Sequence, residues 1–254
     1  MTVTRIDCHV KILDQTVVER AKTRGIDVLV YAPHFTPLPE IEASADRYSD
    51  DEITIIPARE IFTGGWGERR HVLAMNLTDP IPDFLSLEAT MVELERQAAV
   101  VLIPHPTFFT VSFGAEEIER YHSLIDAIET YNPKHLPRHN RRARELSLRF
   151  DRPEFGSSYA HLRGSIGEVW TAFDLPNQRP ETILYAFREH EQRRVHHRPG
   201  LSHRIQCSLE FSHLFWENTG KKLHRLTLGG LEPTHPDQPM YHGRFDQDTV
   251  YQVD

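Results

Sequence analysis

Cysteine is nearly absent from this chain. Cys8 and Cys207 are the only two in 254 residues, and they form no CxxC pair. That excludes a disulfide framework and a thiolate zinc cluster, and it fits a reducing compartment. Long apolar runs are missing too. The longest, residues 98–104, is far too short to cross a bilayer. The segment after Met1 has no apolar core of a secretory signal. A soluble, cytoplasmic protein without membrane association is the expectation. Positive charge is not in excess: 29 Lys plus Arg stand against 37 Asp plus Glu, a formal net charge of -8. Such a chain is not built to coat a nucleic-acid backbone, so nucleic acid is a disfavoured partner. Neither a P-loop nor a Rossmann glycine fingerprint occurs.

What the chain does have is histidine, 16 of them, in a composition with 39% hydrophobic and 26% charged residues. That balance supports a sizeable buried core, and the length suits one large α/β barrel or two ordinary domains. His9, His34, Glu60, His71, His105 and His161 lie at the ends of short apolar runs such as 53–56, 72–75 and 100–103. Neutral imidazole and carboxylate are the usual ligands of Zn, Mn and Fe. Spreading such residues over many strand ends is how a barrel gathers ligands at one mouth. The scatter therefore argues for one assembled metal site.

Periodicity predicts strands at 5–10, 27–31, 52–56, 69–76, 100–103, 124–131 and 155–159. It predicts helices at 14–23, 38–48, 85–97, 116–122 and 138–149. This alternation is the signature of a parallel sheet or barrel. Two further helices are expected at 180–192 and 201–214, the second carrying Ile205, Leu209, Phe211 and Leu214 at helical spacing. Residues 1–228 are read as the barrel with its C-terminal helices, and 229–254, rich in Pro, Gly, His and Asp, as an irregular tail.

Residues two apart on a strand share a face, so Asp7, His9 and Lys11 should point together and Cys8 and Val10 the other way. An acid, an imidazole and an ammonium in succession suit a site, not a core. Tyr159 and His161 share the same spacing. Asp7-Cys8-His9-Val10-Lys11, Ala32-Pro33-His34, Pro57-Ala58-Arg59-Glu60, His71-Val72-Leu73-Ala74 and Pro104-His105-Pro106 follow one another in order. Asp126-Ala127-Ile128-Glu129-Thr130-Tyr131-Asn132 and Ser157-Ser158-Tyr159-Ala160-His161 complete the series, with Ile166-Gly167 and Thr171 beyond. In order and wording these motifs resemble the PHP (polymerase and histidinol phosphatase) superfamily of metal-dependent phosphoesterases, over roughly residues 5–171.

The resemblance implies a distorted (β/α)7 TIM-like barrel with metal ions at the strand C-termini and hydrolysis by a metal-bound hydroxide. Carried over by position, His9, His34, Glu60, His71, His105 and His161 match metal ligands. The second His of the family's HxH motif is Lys11 here, the Asp of its final motif is Tyr159, and the Asp before His34 is Pro33. Asp14 is a candidate replacement for the ligand that usually follows the first motif. These departures favour one or two divalent ions over a full trinuclear centre. An ammonium beside a divalent cation is repulsive, so Lys11 is read as replacing one cation and neutralising a substrate phosphate. Arg59 is expected to help stabilise negative charge, and Tyr159 to donate to a bound ligand.

Blander readings stand beside these. His71 could begin a solvated strand, Lys11 could be an edge residue, and Tyr159 could simply pack. Glu129 and Asn132 are expected to support the barrel or orient a ligand. Cys8 is expected to be buried and inert. The basic run at 193–198 reads as solvated surface, and Trp170, Phe211, Phe215 and Trp216 as core. The leading expectation is a hydrolase that cleaves a phosphoester on a small phosphorylated substrate, with a loss of activity in mild acid as ligand histidines protonate. The alternative is a non-catalytic metal- or anion-binding protein on the same fold. A third is an amidohydrolase-type barrel acting on an amide or lactone.

Overall fold

The computed structural model describes residues 2–65, 68–107, 111–201, 203–210, 212–213 and 232–245. Through residue 197 the described elements follow one another as β1 (Thr2–Val10), α1 (Gln15–Thr23), β2 (Val28–Tyr31), α2 (Leu38–Tyr48), β3 (Thr54–Thr63), β4 (Arg70–Met75), α3 (Leu87–Arg96), β5 (Val100–Ile103), α4 (Ala115–Arg120), β6 (Ala127–Tyr131), α5 (Pro137–Arg149), β7 (Glu154–Gly156), β8 (Val169–Leu175), α6 (Pro180–Arg188) and β9 (Arg193–His197). Local chemistry explains the helix starts. Asp14 accepts the Val17 N–H at 2.9 Å and Ser86 the Ala89 N–H at 3.0 Å. Proline opens α2, α5 and α6, where its missing N–H costs nothing. Asp14 also pairs with Arg163 at 2.6 Å, so capping and this ion pair occupy its carboxylate.

The strands form one mixed sheet in the order β7-β6-β5-β4-β3-β2-β1-β8-β9, curled into a nearly closed barrel. The expected parallel alternation holds for β1–β2–β3 and β5–β6–β7. β4, however, runs antiparallel to both of its neighbours. The connection from Thr63 to Arg70 is too short for a crossover helix, and only a hairpin fits it. Two strands escaped the pattern reading. β8 pairs antiparallel with β1, and β9, from the run read as solvated surface, pairs with β8. Arg194, His196 and His197 on β9 are indeed exposed, whereas the Arg193 guanidinium lies 4.8 Å above the Phe173 ring.

One apolar cluster takes alternate residues from nearly every strand: Ile6, Cys8, Val28, Val30, Ile56, Ala58, Leu73, Met75, Val100, Leu102, Ala127 and Phe155, with Phe187 of α6 among them. This is the barrel interior. Outside it, α1 and α2 cover one flank, with Val17, Val18, Ala21 and Ala45 over Leu29 and Ile55. Met91, Leu94 and Leu146 of α3 and α5 cover another. Residues 203–210 are helical, as expected. Phe211, Leu214, Phe215 and Trp216 lie outside the described residues. Of the tail, residues 232–245 dock on the body: Tyr241 and Phe245 join the outer core, and the Asp83 N–H donates to the Thr234 carbonyl at 2.9 Å. Among the described residues no helix is long and apolar enough to cross a membrane.

Candidate metal centre

The centre is organised around the carboxylate of Glu60. β3 continues past Ile56, where the pattern reading ended it, and puts Glu60 on the inward face after Ile56 and Ala58. Pro57 is tolerated because it sits at the last β2 pairing, opposite Tyr31, where the ladder ends. Glu60 is fully buried, and its two oxygens divide the neighbours. Oε1 lies 3.1 Å from His71 Nδ1 and 2.9 Å from His105 Nε2. Oε2 lies 2.9 Å from His34 Nε2 and 3.6 Å from His9 Nε2, and it accepts from the Lys11 ammonium. Burial alone would raise the Glu60 pKa, but Lys11 and the surrounding imidazoles outweigh it and hold the carboxyl well below its ordinary value.

Each partner arrives by its own route. His71 opens β4, and because β4 runs backwards its first residues lie at the mouth. His34 follows β2. His105 follows β5 with φ 35°, a left-handed backbone held by its N–H to Glu129 Oε2 at 2.6 Å. Glu129 in turn accepts from Asn132 at 3.0 Å and from Ser157, so these residues do orient a centre residue.

His9 and Lys11 reach the centre through an irregularity. The β1–β2 register shifts between Asp7 and Val10. Before it, Ile6 and Cys8 face the barrel interior; after it, Val10 packs outside with Val17. A bulge of this kind moves side chains to the other face. Strict alternation therefore misplaces Asp7 and Cys8. Asp7 accepts the Ser158 and Gly167 N–H groups, each at 2.9 Å, as a structural tie, and burial raises its pKa to about 6. Cys8 lines the interior, donates to Thr171 at 3.4 Å and has its thiol pushed up to about 12 by burial.

Tyr159, with φ 45°, packs its ring 4.6 Å from His9, 5.4 Å from His105 and 4.9 Å from His161. His161 lies one step from Glu60: its ring is 5.5 Å from His34, and its Nδ1 meets the Lys134 ammonium. Arg59 is not in this group. As the neighbour of Glu60 on a strand it points outward, where its guanidinium is fully buried against Asp83 Oδ2 at 2.9 Å and the Ile81 carbonyl at 3.3 Å. Pattern reading also missed Lys134 and Glu210. Lys134 sits in the turn after β6 and Glu210 on the 203–210 helix, positions that look solvated in sequence, yet both are buried.

The donor set fits a divalent ion. Ligand atoms of Glu60, His71 and His105 all lie within 4.8 Å of one another. Neither ring nitrogen of the fully buried His9 has a hydrogen-bond partner, a costly state for a polar group unless something outside the chain binds it. Burial, with help from the Lys11 charge, pushes the His9 imidazole down to about 3, and burial brings His71 down to about 4. Both are therefore neutral, as ligation requires.

The family described as PHP-associated matches residues 137–191. No curated protein matches the sequence. Among solved structures, PsfC from Pseudomonas syringae is 19% identical with a TM-score of 0.60, over 84% of this chain and 100% of that one. The lesion-specific endonuclease PfuEndoQ from Pyrococcus furiosus is 15% identical with a TM-score of 0.57, over 76% of this chain and 58% of that one. An amidohydrolase from Chromobacterium violaceum, with bound sulfate and no metal, is 14% identical with a TM-score of 0.52, over 76% and 97% of the two chains. At these identities the likeness is one of fold. The chain thus carries a segment that matches the PHP-associated family, and its motif order and barrel are those that the PHP resemblance implies. It is a PHP-type barrel with a buried His/Glu cluster at its mouth.

Proposed function

We propose that the chain is a metal-dependent hydrolase that cleaves a phosphoester with a metal-activated water, acting on a small phosphorylated substrate in the cytoplasm. The observation that carries this reading is Glu60, a fully buried carboxylate whose one oxygen faces both His71 and His105 within 3.1 Å. Glu60, His71 and His105 would hold the first of one or two Zn, Mn or Fe ions, with His9 and His34 beside them. Such an ion would supply a hydroxide near neutral pH and polarise a phosphoryl oxygen. Lys11 brings a buried positive charge to the Glu60 side of the centre, where it offsets charge developing on the phosphoryl oxygens. Tyr159 closes the wall between His9 and His105 and keeps water from that side. His161 lies farther from Glu60, its ring 5.5 Å from that of His34, and would stand beside the second ion or the substrate. Arg59, engaged by Asp83, has no part in the reaction.

A second reading, a metal- or anion-binding protein without turnover, is favoured by one observation: the Lys11 ammonium lies on the Glu60 oxygen that a second ion would share. Elemental analysis of protein purified without chelators or affinity tag, joined to a phosphoester screen with added Mn or Zn, separates the two. Bound metal with turnover, both lost in His105→Ala, supports the hydrolase. Bound metal without turnover supports the second reading, and metal-free protein that takes up none sinks both metal readings.

A further inference from the structure

Beyond Glu60, the mouth holds a second buried charge cluster. Lys134 is 2% exposed, and its ammonium lies 4.1 Å from the centroid of the Tyr159 ring. Lys11 approaches the same ring at 5.6 Å. One aromatic ring thus has an ammonium from each cluster against it, while His9 and His105 pack on it as well. Lys134 meets His161 Nδ1 and lies 3.1 Å from Glu210 Oε2. The other oxygen, Glu210 Oε1, accepts the N–H groups of His161 and Leu162 at 3.0 and 2.9 Å. Two consecutive backbone N–H groups and an ammonium converging on one carboxylate make an anion-binding nest. Here the chain fills it with its own side chain, brought from the 203–210 helix.

A tether between helix and barrel would account for the Lys134–Glu210 pair alone. It does not call for the ammonium to lie on the ring that lines the metal centre, nor for a second lysine on that ring. We propose that Lys134, with the backbone nest at His161 and Leu162, is a second anion position of the substrate site, and that Glu210 holds the place of a substrate carboxylate or phosphate. The inference rests on the metal-centre reading for the position of the phosphoryl group. The substrate class that follows carries a second anionic group beyond its phosphoryl group, reaching past Tyr159.

The test uses a short series of carboxyalkyl phosphonates, which resist ester hydrolysis, against the matching alkyl phosphonates. Binding to metal-loaded protein is measured by calorimetry at about pH 8, where the phosphonate is largely a dianion, as a phosphate with second pKa near 6 would be. The best carboxylated member should bind wild type about tenfold or more tightly than its alkyl partner, the worth of one charge-assisted contact. Lys134→Gln should erase that ratio while leaving alkyl phosphonate binding and metal content unchanged. Glu210→Gln, which keeps the Lys134 charge and a carbonyl for the nest, should retain or widen the ratio. If Lys134→Gln does not fold, the double variant Lys134→Met/Glu210→Leu removes both charges together and should also erase it. An unchanged ratio in the variant lacking Lys134, or no ratio in wild type, overturns the second anion position. Metal content on the same samples keeps the two readings apart. Lys134-dependent binding by metal-free protein supports this position and sinks the metal centre alone, whereas metal-loaded protein indifferent to Lys134 sinks this position alone.

Discussion

Glu60 shows how much one buried carboxylate can organise. Burial pushes its pKa up, but Lys11 and the imidazoles around it outweigh that and hold the carboxyl well below its ordinary value. On the proposed metal-centre reading, Lys11 is the residue whose identity sets the number of ions. It reaches the Glu60 oxygen that lies 3.6 Å from the unpartnered Nε2 of His9. An imidazole there would join His9 and Glu60 as a further set of neutral and anionic donors. Lys11→His should therefore raise the metal-to-protein ratio by about one equivalent, read by elemental mass spectrometry; an unchanged ratio shows that Lys11 does not stand at a metal position. At this scale the sequence was highly informative for ligand types, because imidazole and carboxylate donors are legible one residue at a time. It was least informative for Arg59 and Lys134. Both are charged residues whose burial depends on partners far along the chain, Asp83 for one and Glu210 for the other.

Among elements, closure of the barrel depends on a short strand with a glycine at its end. Gly156 donates its N–H to Thr171 Oγ1 at 3.0 Å and accepts from the same hydroxyl at 3.1 Å, joining β7 to β8 by a side chain in place of a ladder. A Cβ on Gly156 would lie 2.5 Å from Val195 Cγ1 and 3.0 Å from Val169 Cγ1. Gly156→Ala is therefore expected to cost about 1–3 kcal/mol by overpacking, and Gly156→Ala with Val195→Ala should recover part of the lost Tm. No change in Tm for the single variant would mean that β7 and β9 are not packed this closely. Helix positions were readable because caps, prolines and apolar spacing are local. Strand direction in β4 and the pairing of β8 and β9 were not, since a strand's partner is set by the rest of the sheet.

For the molecule as a whole, the buried imidazoles tie stability to pH. His9 and His71, ordinarily 6.5, stay neutral in the folded chain down to about 3 and about 4. Below 6.5 the unfolded chain takes up protons that the folded one refuses, so the stability these groups contribute above 6.5 is lost as pH falls through the folded values. Asp7, raised to about 6 by burial, works the other way: between 3.8 and 6 the folded state holds the extra proton. Comparing variants isolates the histidine contribution. In metal-free protein, Tm plotted against pH from 6.5 down to about 4 should be shallower for His71→Gln than for wild type, and parallel slopes would refute the shift. On the proposed metal-centre reading, proton competition with metal at these two residues would begin near pH 3 and 4, below the mild acid expected from unperturbed imidazoles.

From the sequence alone came the donor inventory and the α/β alternation, which rest on residue chemistry and on local periods of two and 3.6; the barrel class came from the resemblance that the motif order carries. Tertiary structure decided which donors meet. A register shift in β1 turned His9 and Lys11 inward while sending Asp7 to the loop beyond β7. A reversed β4 brought His71 to the mouth, and a distant helix buried Glu210 against Lys134. Register, strand direction and burial are properties of contacts between segments far apart in the chain, and no local pattern carries them.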